Sequence, residues 1–192
     1  MPELILASTS PYRRALLERL GVPFHCVAPS VDEEAFKDAG MPPRALAARL
    51  ARLKAESVAE AEPGAVVVGS DQLVAFEGRV FGKPGDADRA VEQLVTLAGR
   101  SHELITSVSV VHPWGAFDHT DVTTLWMRPL TRNEIERYVA ADRPFDCAGS
   151  YKLEERGIVL FEKIASDDHS AITGLPLIAL TTILRGLGFS TP

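Results

Sequence analysis

Two short apolar runs, each ending at a cluster of small polar residues, constrain the fold more than any other feature of this 192-residue chain. Residues 4–7 (LILA) precede STSP, and residues 65–68 (AVVV) precede GSDQ. Runs of four apolar residues bounded by turn residues are typical of strands buried on both faces. Open α/β sheets bind ligands at the carboxyl ends of such strands. We therefore expect an α/β protein in which a turn follows each run, and we expect the ligand-binding residues to lie in these turns.

Helical segments alternate with the strands. Ser10 is a suitable N-cap, Pro11 fits the first helical position, and Gly21 marks the end of the same helix. Leucines at helical spacing and capping residues predict further helices over residues 43–61, 86–97, 131–140 and 175–187.

The remaining apolar segments predict strands. Residues 77–78 (EG) form a hairpin turn, and residues 103–112 and 118–127 form a long antiparallel pair. Further strands are predicted over residues 24–28 and 157–164. The alternation indicates an α/β fold with a mixed sheet and helices on its faces. With no repeat and no linker, residues 1–192 are expected to form a single domain.

The composition excludes several classes of protein. A net charge of −6 argues against a nucleic-acid backbone as partner, because such proteins carry a broad basic surface. No segment has the uninterrupted apolar length of about 20 residues that a membrane span requires, and residues 1–3 lack the features of a signal peptide. The two distant cysteines are typical of a reducing compartment. We expect a cytosolic protein that binds neither nucleic acid nor membrane.

The first candidate site follows residues 4–7. Ser8 lies before a helix whose first turn carries Arg13, and helix N-termini with an arginine bind phosphate groups. Capping serines and solvated arginines would give the same pattern. Asp71 is the second candidate, a carboxylate after a buried strand, and an ordinary turn aspartate would look alike.

Three further residues have chemistry that the pattern leaves open. Glu33 is either a metal ligand or a solvated charge, and so is its neighbour Glu34. Lys54 lies beside the apolar stripe of its helix, from which it either extends to solvent or reaches inward. Lys83, in a GKP turn, lacks the glycine spacing of a phosphate-binding loop. The five histidines have no ligand spacing, which argues against a zinc site.

Taken in order, the motifs resemble the Maf family of nucleotide pyrophosphatases. Residues 4–17 (LILASTSPYRRALL) are similar to the start of that family. Further matching motifs follow in the family's order: VDE at 31–33, KA at 54–55, GSD at 69–71, GKP at 82–84, FDCAGSY at 145–151 and GLPL at 174–177. The resemblance covers nearly the whole chain.

The resemblance implies a Maf/ITPase-like α/β fold with two lobes around a nucleotide cleft, and a homodimer. It implies hydrolysis between the α- and β-phosphates of a nucleoside triphosphate, assisted by a divalent cation (Mg, Mn or Co). Asp71 matches the family's catalytic aspartate, a proton acceptor, and Glu33 matches a position that lines its polyphosphate and metal cleft. Mg²⁺ takes one or two carboxylates, which suits Glu33 and Asp71, and the sequence leaves open whether Asp71 is the base, a metal ligand or both. The positions that match phosphate-binding residues of the family are Ser8, Arg13, Lys54 and Lys83.

Three positions associated with substrate choice in the family map onto Tyr12, Gln72 and Glu154. All three depart from the branch that prefers dTTP and UTP. Tyr12, GSDQ at 69–72 and CAGS at 147–150 resemble the branch that acts on 7-methyl-GTP. N7-methylation makes guanine cationic, and an aromatic face such as that of Tyr12 attracts a cation. A carboxylate such as that of Glu154 can accept two hydrogen bonds from the guanine edge.

The resemblance leaves two rival functions, a non-catalytic nucleotide-binding regulator of septum formation and cell division, and a broader house-cleaning pyrophosphatase for modified nucleotides. Residues 167–171 (DDHSA) depart from the DPNT that is more common in the 7-methyl-GTP branch. A ligand contact in this loop would shift or broaden the substrate preference.

Overall fold

The computed structural model describes residues 2–37 and 40–191, with the side chains of Glu34 and Lys37 left out. The strands are β1 (Leu4–Ala7), β2 (His25–Val27), β3 (Val66–Phe76), β4 (Arg79–Phe81), β5 (Ser101–His112), β6 (Gly115–Met127) and β7 (Phe161–Ala165). The helices are α1 (Pro11–Glu18), α2 (Glu34–Lys37), α3 (Pro43–Ala59), α4 (Ala87–Leu97), α5 (Arg132–Asp142), α6 (His169–Thr173) and α7 (Leu177–Gly186). Short 3₁₀ turns lie at Ala148–Ser150 and Arg156–Leu160.

The strands pair in the order β2-β1-β3-β5-β6-β7, and β4 pairs with β3. β1 is parallel to β2 and to β3, whereas β3 with β4 and β6 with β7 are antiparallel. The sheet is therefore mixed, and the predicted fold class is confirmed.

The chain forms two compact units, and the first consists of residues 1–71, 106–121 and 168–192. Alternate side chains of β1 point to opposite faces of the sheet. Leu4 and Leu6 pack in a core that includes residues of α1 and α7. Ile5 and Ala7 pack on the other face, where α3 supplies Ala55. Helices thus cover both faces of β1, as the uninterrupted apolar run predicts.

The second unit consists of residues 72–105 and 122–167. Its helices α4 and α5 pack against each other, and α5 also packs against the 3₁₀ turn Arg156–Leu160. Thr131 and Glu134 form the predicted capping box at the start of α5. The largest fully buried side chains of this unit are Leu94, Leu97, Ile105, Leu125 and Ile135.

The prediction of a turn at residues 69–72 is wrong, because β3 continues through them to Phe76. The first part of β3 pairs with β1, ending at the Ala7–Gly69 partners, and its last three residues pair with β4. β3 lies between β1 and β5 in the sheet, so it keeps a strand partner beyond the end of β1. Asp71 lies inside a strand, beyond the end of β1.

The predicted strand over residues 157–164 is also partly wrong. Its first half is the 3₁₀ turn Arg156–Leu160, and β7 begins only at Phe161. The apolar side chains of Ile158 and Val159 are 52% and 62% exposed, so their hydrophobicity does not mark a buried strand.

Within residues 2–37 and 40–191, no helix combines the length and the apolar character needed to cross a membrane. The expectation of one domain over residues 1–192 stays a prediction.

Candidate active site

In the first unit, the segment after β1 folds as a cap for α1. Ser10 has an extended backbone, and its Oγ accepts the N–H of Arg13 at 3.4 Å. The Oγ of the buried Ser8 accepts the N–H of Ser10 at 3.1 Å. Ser8 and Ser10 therefore hold the entry to α1, and this helix start positions Arg13 in its first turn.

Gly69 brings α3 against β3. A Cβ on Gly69 would lie 2.3 Å from the carbonyl oxygen of Ala51 and 2.6 Å from the amide nitrogen of Ala55. Only a residue without a side chain permits this approach of two backbones. Because Lys54 lies between those two positions on α3, the same approach places its side chain beside the middle of β3, where Asp71 lies.

Lys54 reaches inward, which resolves the alternative left by the sequence. Its Nζ donates to Asp71 Oδ1 at 2.7 Å, and both side chains are 8% exposed. The same Nζ lies 2.8 Å from Oε1 of Glu33, whose side chain is 48% exposed. One ammonium group therefore joins a buried and a half-exposed carboxylate. The side chain of Glu34, the other acidic candidate, lies outside the described part of the structure.

Arg13 completes this cluster. Its Nε donates to the carbonyl oxygen of Gly174 at 3.0 Å. Burial lowers the pKa of Arg13, whereas the charges of Asp71 and Glu33 raise it. An arginine stays protonated in either case. The cluster thus holds two cations and two carboxylates, close enough to affect each other's ionisation.

The burial of Asp71 changes its acidity. Desolvation raises the pKa of this carboxyl, against the effects of Lys54 and Arg13, which lower it, and together with Glu33, which raises it. A carboxylate with a raised pKa is a better proton acceptor near neutral pH. The environment of Asp71 therefore suits a general base.

Ser70 and Gly174 belong to the site, and the residue-by-residue interpretation of the sequence assigned them no role. The buried Ser70 Oγ lies 2.9 Å from the carbonyl oxygen of Gly174 and 2.8 Å from that of Ser107, so its single O–H is shared between these two acceptors. Gly174 adopts φ +118°, which favours glycine, and its carbonyl oxygen accepts from both Ser70 and Arg13. The GLPL motif at residues 174–177 was the signal for this contact.

The loop at residues 167–171 has a structural role in the first unit. Oδ1 of the buried Asp168 accepts the N–H of Ser170 at 2.9 Å, and its Oδ2 accepts the N–H of Ile178 at 2.7 Å. Ser170 Oγ in turn accepts the N–H of Leu177 at 2.8 Å. These bonds fix the starts of α6 and α7 on either side of Gly174, and they explain why Asp168 and Ser170 stand in this loop.

The other predicted phosphate ligand, Lys83, is exposed in the second unit. The carbonyl oxygen of the preceding Gly82 accepts from Gln93 Nε2 at 3.2 Å. Gln93 Oε1 accepts from Ser150 Oγ at 2.6 Å, which ties the GKP segment to the 3₁₀ turn Ala148–Ser150.

The predicted specificity residues are divided between the two units. Tyr12 is half-buried in the first turn of α1, in the first unit. Gln72, half-buried on β3, and Glu154, exposed before the 3₁₀ turn Arg156–Leu160, belong to the second. Partial desolvation by the surrounding protein raises the pKa of the Glu154 carboxyl. By contrast, the four charged residues Arg13, Glu33, Lys54 and Asp71 all lie in the first unit.

Glu33 and Asp71 are the candidate donors for a cation. Mg²⁺ takes one or two protein carboxylates and fills its other positions with water and substrate phosphates. In the described ranges, no group of three or more His, Cys, Asp or Glu side chains is arranged to hold a metal. Glu33 and Asp71 are within the number of carboxylates that Mg²⁺ takes, and the Lys54 ammonium contacts one oxygen of each.

Known proteins resemble this chain over most or all of its length. A protein of Bdellovibrio bacteriovorus named 7-methyl-GTP pyrophosphatase is 52% identical over 95% of this chain and 96% of its own. Proteins of the same name from Xanthomonas campestris and Bordetella avium are 49% and 48% identical, covering 100% and 97% of this chain and 100% and 94% of their own.

The fold also resembles a solved structure of lower sequence similarity. A HAM1 protein from Coxiella burnetii superimposes with a TM-score of 0.50 at 15% identity, over 68% of this chain and 75% of that protein. At this identity the match supports the fold alone, and it agrees with the ITPase-like architecture expected from the sequence.

The model of the Maf family, described as Maf-like protein, matches residues 3–187. Its match includes both the Asp71 cluster and the loop that carries Glu154. The chain belongs to the Maf family.

Proposed function

We propose that this chain hydrolyses 7-methyl-GTP to 7-methyl-GMP and pyrophosphate. The buried pair of Lys54 and Asp71, with Arg13 and Glu33 acting on the same carboxylate, carries the proposal. Relatives that are 52% and 49% identical over nearly their whole length and bear the name 7-methyl-GTP pyrophosphatase support the choice of substrate.

Asp71 is the proton acceptor in this proposal. A water oxygen forms a bond to the α-phosphorus, and its proton passes to the Asp71 carboxylate. The bond from the α-phosphorus to the oxygen that bridges to the β-phosphate breaks, and pyrophosphate leaves with the electron pair. The raised pKa of Asp71 supports this role, and the 2.7 Å contact with Lys54 keeps the carboxylate in one orientation.

Arg13, Lys54 and Lys83 offset the negative charge that develops on the leaving pyrophosphate. Phosphoryl transfer depends mainly on positioning and on this electrostatic stabilisation. Arg13 is suited to the task because its Nε is already bonded to Gly174, which directs the rest of the guanidinium. Ser8 supports the same helix start.

Glu33 and Asp71 would hold a divalent cation together with the substrate phosphates. When bound, such an ion polarises the phosphate oxygens and lowers the pKa of a coordinated water. The half-exposed Glu33 remains accessible to a hydrated ion, which suits the reluctance of Mg²⁺ to lose its water.

Tyr12, Gln72 and Glu154 select the base in this proposal. The aromatic face of Tyr12 attracts the cationic 7-methylguanine ring. The Glu154 carboxylate accepts hydrogen bonds from N1–H and the exocyclic amino group, and it offsets the positive charge of the ring. Gln72 follows the catalytic Asp71 directly on β3.

A panel of nucleoside triphosphates with Mg²⁺, Mn²⁺ or Co²⁺, scored for pyrophosphate against phosphate, tests the proposal. We expect pyrophosphate from 7-methyl-GTP at a higher kcat/KM than from dTTP or GTP. Release of phosphate alone would refute it. Binding without turnover would favour a nucleotide-binding regulator of cell division, and similar turnover of many modified nucleotides would favour a house-cleaning enzyme.

Two substitutions separate the roles within the site. Asp71→Asn should abolish turnover while leaving binding of 7-methyl-GTP in place, and an active Asn variant would remove Asp71 from the mechanism. Glu154→Gln should reduce kcat/KM for 7-methyl-GTP far more than for dTTP, and equal losses would remove Glu154 from base recognition.

A further inference from the structure

Two buried side chains of α5 hold the ends of the segment that carries Glu154. The hydroxyl of Tyr138 accepts the backbone N–H of Lys152 at 3.0 Å. Oδ2 of Asp142 accepts the backbone N–H of Arg156 at 3.0 Å. Tyr138 and Asp142 are four residues apart, so they lie on the same face of the helix. Glu154 is the central residue between the two points of attachment.

The segment is also closed on itself. The carbonyl oxygen of Lys152 accepts the N–H of Gly157 at 2.9 Å and that of Glu155 at 3.2 Å. A Cβ on Gly157 would lie 2.4 Å from this same oxygen. The absence of a side chain at Gly157 therefore permits the tight closure, and the segment forms a loop with Glu154 near its middle.

The two α5 side chains make few contacts with solvent. Tyr138 is 6% exposed and Asp142 is 7% exposed. Burial raises the pKa of the Tyr138 hydroxyl, which keeps it neutral. A polar group at such depth is costly unless it is hydrogen-bonded, and both groups bond to loop backbone. These bonds restrict where the loop backbone can lie.

We propose that Tyr138 and Asp142 are positioning residues that hold the Glu154 carboxylate where it recognises the methylated guanine. This inference rests on the proposed function and adds two residues outside the motifs that identify the family. Neither residue is expected to touch the substrate. A carboxylate that accepts two hydrogen bonds from one base edge needs a fixed orientation, and a loop attached at both ends supplies it.

The experiment measures substrate preference, the ratio of kcat/KM for 7-methyl-GTP to that for dTTP. Tyr138→Phe removes one hydroxyl at constant shape. We expect it to lower the preference about three- to tenfold, the effect of losing one hydrogen bond. The loss should arise in KM for 7-methyl-GTP. Inhibition by inorganic tripolyphosphate, which has no base, should stay unchanged.

Asp142 offers an independent variant. Asp142→Ala removes the acceptor for the Arg156 N–H, whereas Asp142→Asn retains an acceptor oxygen at the same place. We expect a larger loss of preference in the Ala variant than in the Asn variant. Equal preference in the Ala and Asn variants would contradict a role for the acceptor oxygen.

Tyr151→Phe is the matched control. Tyr151 is a buried tyrosine of the same unit, and its hydroxyl bonds to His102 Nε2 at 3.1 Å and to no loop backbone in the described structure. This variant should lose stability and keep its preference. Equal shifts of preference in Tyr138→Phe and Tyr151→Phe would overturn the inference.

The outcomes distinguish this inference from the proposed function. If the wild-type chain does not prefer 7-methyl-GTP, the proposed function fails and the inference fails with it. If the wild type prefers 7-methyl-GTP and Glu154→Gln removes the preference while Tyr138→Phe and Asp142→Ala retain it, only the inference fails.

Discussion

The Nζ of Lys54 lies 2.7 Å from Oδ1 of Asp71 in the interior of the first unit, and this contact joins the middle of α3 to β3. A buried charge that loses its partner is strongly destabilising, because desolvation is no longer compensated. When Asp71 is replaced, Lys54 keeps a second carboxylate, the half-exposed Glu33. When Lys54 is replaced, the buried Asp71 loses the ammonium group that donates to it at 2.7 Å.

Lys54→Met should therefore lower the free energy of unfolding by about 3 kcal/mol or more. Asp71→Asn should cost less, because Glu33 still contacts the ammonium group. In a double-mutant cycle by urea denaturation, the double variant should be more stable than the sum of the single losses predicts. Strict additivity would show that the contact contributes no coupling.

Gly69→Ala should destabilise the first unit by about 1–3 kcal/mol, because its methyl group would overlap the backbone of α3. Separation of α3 from β3 would move Lys54 from Asp71, so kcat should fall as well. Gly186→Ala is the control, since a Cβ there would meet nothing within 4 Å and alanine favours the helix. Equal thermal stability of Gly69→Ala and wild type would contradict the close approach.

Ser70→Ala should reduce kcat/KM about three- to tenfold, because the Gly174 carbonyl loses one of two donors and Arg13 becomes less well held. Steady-state kinetics with 7-methyl-GTP measure this loss. Ser109→Ala is the matched control, because the buried Ser109 Oγ has no hydrogen-bond partner among the described residues. A similar fall in kcat/KM in both variants would mean that Ser70 does not position Arg13 through the Gly174 carbonyl oxygen.

His102 should make the stability of the protein fall in acid. Burial lowers the pKa of His102 from 6.5 to about 4, so the unfolded chain binds the proton more readily between these values. The neutral ring therefore contributes fully above pH 6.5, and its contribution is lost as pH falls towards 4. The total is about 3 kcal/mol from the size of the shift.

Urea denaturation between pH 4.5 and 7 measures this dependence. His102→Gln should flatten the slope, because the amide does not titrate. A wild-type slope retained in His102→Gln would assign the acid sensitivity to other groups.

Much of the fold follows from local patterns. The run at residues 4–7 predicted β1, and Ser10 with Pro11 predicted the start of α1, because burial and capping act over a few residues. The extent of β3 was not predictable in this way. Polar residues 69–72 have the composition of a turn, and their extended backbone depends on strand partners that are remote in the sequence, β1 and β5.

The candidate site shows the same division. Its charged members were found because their motifs resemble a family and because their side chains suit polyphosphate chemistry. Ser70 and Gly174 act through hydrogen bonds to residues far away in the chain, Ser70 to Ser107 and Arg13 to Gly174. Tyr138 and Asp142 bond to the backbone of a loop 14 residues further along. Nothing in the local sequence specifies such partners.

The chain passes between the two units four times, and the first unit is completed only by residues 168–192. Leu175, Leu180 and Leu184 of this last segment fill the core beneath β1, and Gly174 supplies the acceptor for Arg13. A chain emerging from the ribosome therefore exposes β1 and Arg13 long before either has its native neighbours. Native contacts of such sequence separation slow folding. Activity should therefore require residues 168–192, and a nascent chain stalled before residue 168 should be inactive.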